Sequence, residues 1–283
     1  MAPWTVKEAG PNVHIIDVEW DARGGEFESL LVSDVHKDHP HCDEKLFKKH
    51  MDEALAANSP VISGGDLFCA MQGPNDKRRT IGSIKPEHNQ PAYYTALSDG
   101  VASDLEKYAP VLTVLANGNH ETAVVKHSGV DLTRELVSKL RAAGAPHVYA
   151  GGYHGFIRFQ FRRGNWRQSR DLYYHHGSGG GGYATRGALD VNRMAAQVRA
   201  DIVWMGHVHY SMHVPVQQIA LSGQNRIIER EMLHIKTPGY KTNYLTPFGF
   251  EVEKGHGPRP RGGMKLRFWE ANDELRFDAV RAA

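Results

Sequence analysis

Five short segments gather metal-binding side chains: Asp34-Val35-His36, Gly65-Asp66, Gly118-Asn119-His120-Glu121, His176-Gly177 and Gly206-His207-Val208-His209. Together they offer two carboxylates (Asp34, Asp66), one amide oxygen (Asn119) and a set of imidazoles (His36, His176, His207, His209, with His120 and His175 beside them). Oxygen and imidazole donors without thiolate suit Mn, Fe, Zn, Co or Ni better than a soft-metal site. The donor set is too large for one tetrahedral zinc, which takes four ligands, and it points to two divalent ions. Each segment alone is weak, because an isolated Asp-x-His or His-x-His is more often an ordinary surface pair. The joint pattern reverses that weight.

The segments share a setting. Residues 29–33 read as a short buried strand ending at Asp34, and 60–63 as a second ending at Gly64-Gly65-Asp66. Residues 111–115 form a third, running into Asn117-Gly118-Asn119-His120, and 202–205 another, ending at Gly206-His207. Residues 156–162 and 166–174 read as a hairpin turned at Arg163-Gly164-Asn165, its second arm ending at His175-His176. Between them, 43–57, 92–108, 131–143 and 188–199 carry apolar residues at helical spacing, the first with Asp43 as a candidate N-cap. Residues 232–236 and 264–269 read as strands, and 71–91 as a long polar loop. Strand, polar tip, helix, strand is the order of an α/β or α+β sandwich with helices outside. Strand ends from one sheet meet in space, so distant ligands can share a site. Side-chain alternation along an extended segment would put Asp34 and His36, and likewise His207 and His209, on one side.

Composition bounds the remainder. The 283 residues suffice for one large domain or two modest ones, and no composition break divides them. A single domain over 1–283 is the expectation, with 245–283 as a β-rich extension or a cap. The net charge of +2 argues neither for nor against nucleic acid, so only local clustering could. Two cysteines make no disulfide framework and fit a reducing cytoplasm. No secretory signal is expected at the start of the chain, and no apolar run is long enough to suggest a membrane span.

The five segments, in this order over residues 34–209, resemble the successive motifs of the calcineurin-like metallophosphoesterase superfamily. The resemblance implies two mixed β-sheets flanked by helices, and a role for each residue. Asp34, His36 and His209 would bind one ion, Asn119, His176 and His207 the other, and Asp66 would bridge them. His120 would orient the phosphate and protonate the leaving oxygen. The family pattern has its ligand directly before glycine, which favours His176 over His175. Manganese is the leading expectation for the ions, with iron, zinc, nickel or cobalt as alternatives. Two dications roughly 3.5–4 Å apart would acidify a bridging water, and the resulting hydroxide would attack phosphorus in line.

The substrate is narrowed by exclusion. The protein phosphatases of the superfamily carry Gly-Asp-x-x-Asp-Arg-Gly, whereas Gly65-Asp66 here continues Leu67-Phe68-Cys69-Ala70-Met71. An apolar lid like that expected of the lipid-A precursor hydrolases is not apparent. The glycine run from Gly177 to Gly182 lacks the Gly-Lys-Ser/Thr ending of a P-loop. Three basic clusters remain: Lys77-Arg78-Arg79; Arg158, Arg162, Arg163, Arg167 and Arg170, interleaved with Phe159, Phe161 and Trp166; and Lys254, Arg259, Arg261, Lys265 and Arg267. Basic residues neutralise phosphates and aromatics stack on bases, while the plain reading is an arginine-guarded edge with core aromatics. The expectation is a phosphodiesterase acting on DNA, RNA or nucleotides. The alternatives are a small-molecule phosphomonoesterase and a non-catalytic interaction module on the same fold. His39, His41 and His127 are candidates for substrate contact or for plain loop histidines. Glu121 would hydrogen-bond a ligand histidine or simply start a helix.

Overall fold

Short apolar runs interrupted by glycine become short buried strands, and those strands stack into two layers. The computed structural model describes residues 3–71, 84–180, 182, 185–242, 250–253, 255 and 257–283. In chain order the strands are β1 (Trp4–Gly10), β2 (Val13–Glu19), β3 (Glu26–Val32), β4 (Val61–Ser63), β5 (Leu112–Leu115), β6 (Tyr149–Ala150), β7 (His154–Arg163), β8 (Trp166–His175), β9 (Ile202–Met205), β10 (Met212–Leu221), β11 (Ile227–Lys236), β12 (Met264–Ala271) and β13 (Glu274–Arg281). The helices are α1 (Glu44–Ala56), α2 (Tyr93–Glu106), α3 (Asn119–Ser128), α4 (Leu132–Ala142) and α5 (Ala188–Ala195), with a single further turn at Phe250–Glu253. Asp43 does cap α1, accepting from the Leu46 amide at 3.2 Å. Among the described residues none forms a helix long and apolar enough to cross a membrane.

One sheet has seven strands in the order β1-β2-β7-β8-β9-β11-β10, the other six in the order β13-β12-β3-β4-β5-β6. Both are mixed: β3, β4 and β5 run parallel while β12 joins β3 antiparallel, and β2 runs parallel to β7 while β8 joins β7 antiparallel. This is the two-sheet sandwich with outer helices that the motif resemblance implies. The chain beyond residue 257 supplies β12 and β13, which extend the six-stranded sheet at its β3 edge. Residues 243–249 lie outside the described residues.

The core between the sheets follows from alternation along β7. Ile157, Phe159 and Phe161 are fully buried, whereas Arg158 and Arg162 point outward. Phe159 and Phe161 meet Phe268 of β12 at ring separations of 4.7 and 5.0 Å. Phe268 is thus the junction of the two layers. Phe268→Ala is expected to cost about 3–5 kcal/mol, read as a lower urea midpoint at unchanged slope. A second cluster packs Phe47, Met51, Leu97, Val101, Leu136 and Leu140 of α1, α2 and α4 against the outer face of the six-stranded sheet.

Four of the five arginines of the hairpin are engaged within the fold. Arg158 pairs with Asp171 at 2.6 Å, Arg163 with Glu270 at 2.6 Å, and Arg162 lies 3.8 Å from Asp17. Arg170 donates to the Leu275 carbonyl. In the C-terminal cluster Arg261 pairs with Asp43, Lys265 with Glu28 and Glu53, and Arg267 with Asp278. Lys77-Arg78-Arg79 and Lys254 lie outside the described residues.

Candidate metal centre

Parallel strands deliver the motifs to one edge. β3, β4 and β5 are neighbours in the six-stranded sheet, and β8 and β9 are neighbours in the other. The candidate residues follow their carboxyl ends, where open α/β sheets leave a crevice. Asp66 Oδ2 lies at the centre. His176 Nε2 is 3.3 Å from it, His120 Nε2 3.8 Å and His36 Nε2 4.0 Å. Asp34 Oδ1 lies 3.3 Å from His209 Nε2, and Asn119 Oδ1 lies 3.1 Å from His176 Nε2.

Two groups could each hold an ion: Asp34, His36 and His209, and Asp66, His176 and His207. A third set of close side chains joins His36 and His120 to the Cys69 thiol. Sequence reading set thiolate aside, and no signal in the pattern singles out Cys69. His176 is completely buried in the Asp66 group, whereas His175 turns to Tyr153 and accepts from the Gly177 amide at 3.0 Å.

The way the pairs reach the site corrects one expectation. Asp34, His36, Asp66, His207 and His209 all have positive φ, between 49° and 70°. They are therefore not on extended backbone, and alternation does not aim them. Left-handed conformations of this kind cost of order 1–3 kcal/mol each and gather at functional sites. Each turn bends the chain away from its sheet and into the shared crevice. Tight loop contact maintains the bend: a Cβ on Gly65, itself at φ +101°, would come within 2.5 Å of the Gly118 amide nitrogen.

Surrounding groups fix the candidate ligands. His176 Nδ1 lies 2.9 Å from the Gly64 carbonyl and His120 Nδ1 2.5 Å from the Cys69 carbonyl. Donation at Nδ1 leaves each Nε2 facing Asp66. His207 Nε2 meets the Gly179 carbonyl at 2.9 Å, so the glycine run braces a candidate ligand. Asp34 Oδ2 accepts from the Ser33 hydroxyl and from the His207 amide at 3.0 Å. Ser33 in turn contacts Thr237 Oγ1, to which Trp204 donates at 3.2 Å. No residue pattern reveals this chain of contacts, because Ser33 and Thr237 follow strands of different sheets and lie 204 residues apart.

Of the two parts expected of Glu121, the structure shows the helix start and no bond to a candidate ligand histidine. The Glu121 carboxyl accepts from the amides of Gly118 (2.8 Å), Phe68 (2.9 Å) and Asp66 (3.1 Å), so it starts α3 and ties two motif loops together. Burial, reinforced by the Asp66 charge, pushes its pKa up to about 8. His39 and His41 form a ring pair at 5.1 Å, and burial with nearby Lys241 pushes His39 down to about 2. His127 is exposed on α3.

Charge balance tests whether cations fit. Burial alone would raise the Asp66 pKa, yet His176 and His120 outweigh it and hold the carboxyl below its usual range. Burial would lower His176, yet Asp66 and Asp34 carry it up to about 10. In the protein alone, then, a proton on His176 balances buried carboxylate charge. Asp34 Oδ1 and His36 Nδ1 are buried without a hydrogen-bond partner. Among the described residues no Lys or Arg forms an ion pair with Asp34 or Asp66. Buried carboxylates faced by imidazoles, with an orphaned oxygen between them, suit divalent ions.

No family model matches the sequence, and no curated protein matches it. Solved structures are similar over most of the chain. A conserved predicted phosphoesterase from Streptococcus pneumoniae shares 13% identity, covering 91% of this chain and 90% of its own, with a TM-score of 0.33. A single mutant of Vps29 from Entamoeba histolytica shares 13% over 91% of this chain and 100% of its own, with a TM-score of 0.37. GAP50, the anchor in the inner membrane complex of Plasmodium, shares 10% over 90% of this chain and 84% of its own, with a TM-score of 0.42.

Proposed function

We propose that this chain is a metal-dependent phosphoester hydrolase with a dinuclear centre, manganese being the leading candidate, and that its substrate is a phosphodiester in a nucleic acid or nucleotide. The observation that carries the reading is Asp66 Oδ2 lying within 4.0 Å of imidazoles from both candidate groups and from His120. Asp34, His36 and His209 would hold one ion, Asn119, His176 and His207 the other, with Asp66 shared. Divalent ions, when bound, supply Lewis acidity and an acidified water.

The remaining work falls to the protein. Ser33 and Thr237 hold the Asp34 carboxylate in one orientation, and Glu121 fixes the backbone that carries Asp66. The Cys69 carbonyl orients the His120 ring, so that Nε2 can hold a proton for the leaving oxygen. Anionic substrate is favoured by two cations at the rim. Arg259 donates to the carbonyl of Val208, between His207 and His209, at 3.0 Å, and Lys241 lies close enough to lower the pKa of His36.

The test is a panel of chromogenic monoester and diester substrates, single- and double-stranded DNA, and RNA, with Mn-loaded protein. Faster turnover of the diesters with cleavage of a nucleic acid or nucleotide is expected. A clear preference for the monoester would replace the diester reading with a phosphomonoesterase. Inertness toward every ester would leave a non-catalytic module.

Metal uptake should also release protons. His176, protonated near neutral pH in the metal-free protein because its pKa is raised to about 10, must be neutral to bind an ion. Affinity therefore rises with pH below that value, by about tenfold per pH unit for one displaced proton. Calorimetric titration with Mn in buffers of different ionisation enthalpy measures the release. A binding heat independent of buffer would contradict it.

A further inference from the structure

The outermost strand of the seven-stranded sheet ends in a ribbon with no further strand paired to it among the described residues. β9 pairs with β11 only from Leu233 to Lys236. Beyond that point β10 and β11 continue together from Val216–Met232 to Leu221–Ile227, with no third strand among the described residues. A two-stranded ribbon alone is marginal in water; a third strand or a covered face is needed. This one is also apolar. Ile219 is 81% exposed, Leu221 71% and Ile227 81%, with Val214 and Ile228 exposed nearby. By alternation Ile219 and Leu221 lie on the same side as Pro215, whose cross-strand neighbour Leu233 is buried in the core. The apolar inner face of the sheet thus runs out beyond the layer that covers it.

We infer that β10 is a dimerisation edge, and that its occupant is β10 of a second copy of this chain, paired antiparallel about a two-fold axis at Ile219. Three observations select that occupant. First, β10 reads Met-His-Val-Pro-Val-Gln-Gln-Ile-Ala-Leu and carries no Asp, Glu, Lys or Arg. Edge strands that stay single are normally guarded by charge. An uncharged strand meets its own copy without repulsion and offers nothing to a strongly charged partner.

Second, the backbone parity is fixed. The Leu233 amide donates to the Asp201 carbonyl at 2.8 Å, away from β10, and the Ser222 amide donates to Arg226 across the turn at 2.9 Å. Pro215–Leu233 is therefore a non-hydrogen-bonded pair, and so by alternation are Gln217–Glu231, Ile219–Glu229 and Leu221–Ile227. The N–H and C=O groups of Gln217, Ile219 and Leu221 point outward from the edge. Pro215 stands at the one kind of position where an edge strand tolerates proline, and it ends the pairing edge at its base.

Third, the two-fold register is self-complementary. Centred on Ile219, it places Gln217 opposite the second copy's Leu221 and Ile219 opposite its equivalent. Ile219, Leu221 and Ile227 of both copies then form one apolar cluster. The nearest like charges, Glu229 on each β11, fall three strand spacings apart, about 14 Å, beyond a Debye length of about 8–10 Å. The contact is isologous and closes at two copies.

The test is the mass of the protein in solution at about 50 μM, by light scattering after gel filtration, a concentration that populates a dimer of micromolar or tighter Kd. Wild type is expected at twice the chain mass. Ile219→Lys, which guards the edge with charge, and Gln217→Pro, which removes only an outward N–H, are both expected at the chain mass with unchanged phosphoesterase turnover. Hydrogen exchange supplies a readout at the edge itself: the amides of Gln217, Ile219 and Leu221 are protected in wild type and exchange freely in Ile219→Lys. A monomeric wild type would overturn the inference, as would a dimer that persists in either variant or outward amides that exchange equally in both forms.

Discussion

Asp66→Ala is expected to bind fewer than two ions and to lose turnover by more than the ~10–100-fold that removal of a hydrogen-bonded outer partner costs a metal site. The reason is position. Its Oδ2 faces imidazoles of both candidate groups, and its Oδ1 accepts the His120 amide at 2.9 Å. Removing the carboxylate withdraws the shared donor and unties the loop carrying Asn119 and His120. It also removes the charge that opposes His176, so the imidazoles are left with less to attract a cation. Equilibrium dialysis against Mn with elemental analysis measures the ions, and the diester substrate measures the rate. Full occupancy in Asp66→Ala would deny the shared role.

His120→Ala is the complementary case. Its ring belongs to neither of the two groups built on Asp34 and Asp66. It points Nε2 toward Asp66, braced from behind by the Cys69 carbonyl. The variant should keep both ions and lose about 10²–10⁴-fold in turnover, the range for a positioned general acid. A leaving group that needs no proton separates this from general damage. With a good leaving group such as nitrophenolate the loss should shrink, and with an alkoxide leaving group it should stay large. Equal losses on both would mean that His120 acts by some means other than proton donation.

The contrast between these variants shows what the sequence makes legible. Ligand-type residues at the ends of apolar runs announce the site, because runs such as 29–33, 60–63 and 202–205 are too short and too apolar to be anything but buried strands. Their convergence follows from parallel neighbours in each sheet. The backbone of the site was not legible: Asp and His carry no sign that Asp34, His36, Asp66, His207 and His209 adopt positive φ. Glu121 was noticed, but the donors it serves are backbone amides, which leave no trace in a residue pattern. Of α3 only a possible start at Glu121 was legible, because its first residues are the motif itself.

Like-sign clusters leave a similar gap. The arginines of β7 and β8 form a basic string when read along the chain. Asp171 and Glu270, which pair with Arg158 and Arg163, become visible only once strands are paired. β10 escaped individual notice for the opposite reason. Neither of its faces is buried along its outer half, so no alternation marks it, and the missing charges matter only at an edge.

The central claim is a pair of divalent ions that the chain requires for ester hydrolysis. Equilibrium dialysis of metal-stripped protein against Mn, followed by elemental analysis and a diester assay on the same sample, tests it most directly. Two ions per chain, with turnover absent before dialysis and restored in step with the second ion, is the predicted result. Turnover that is undiminished in the stripped protein, or that is complete with one ion per chain, would contradict it.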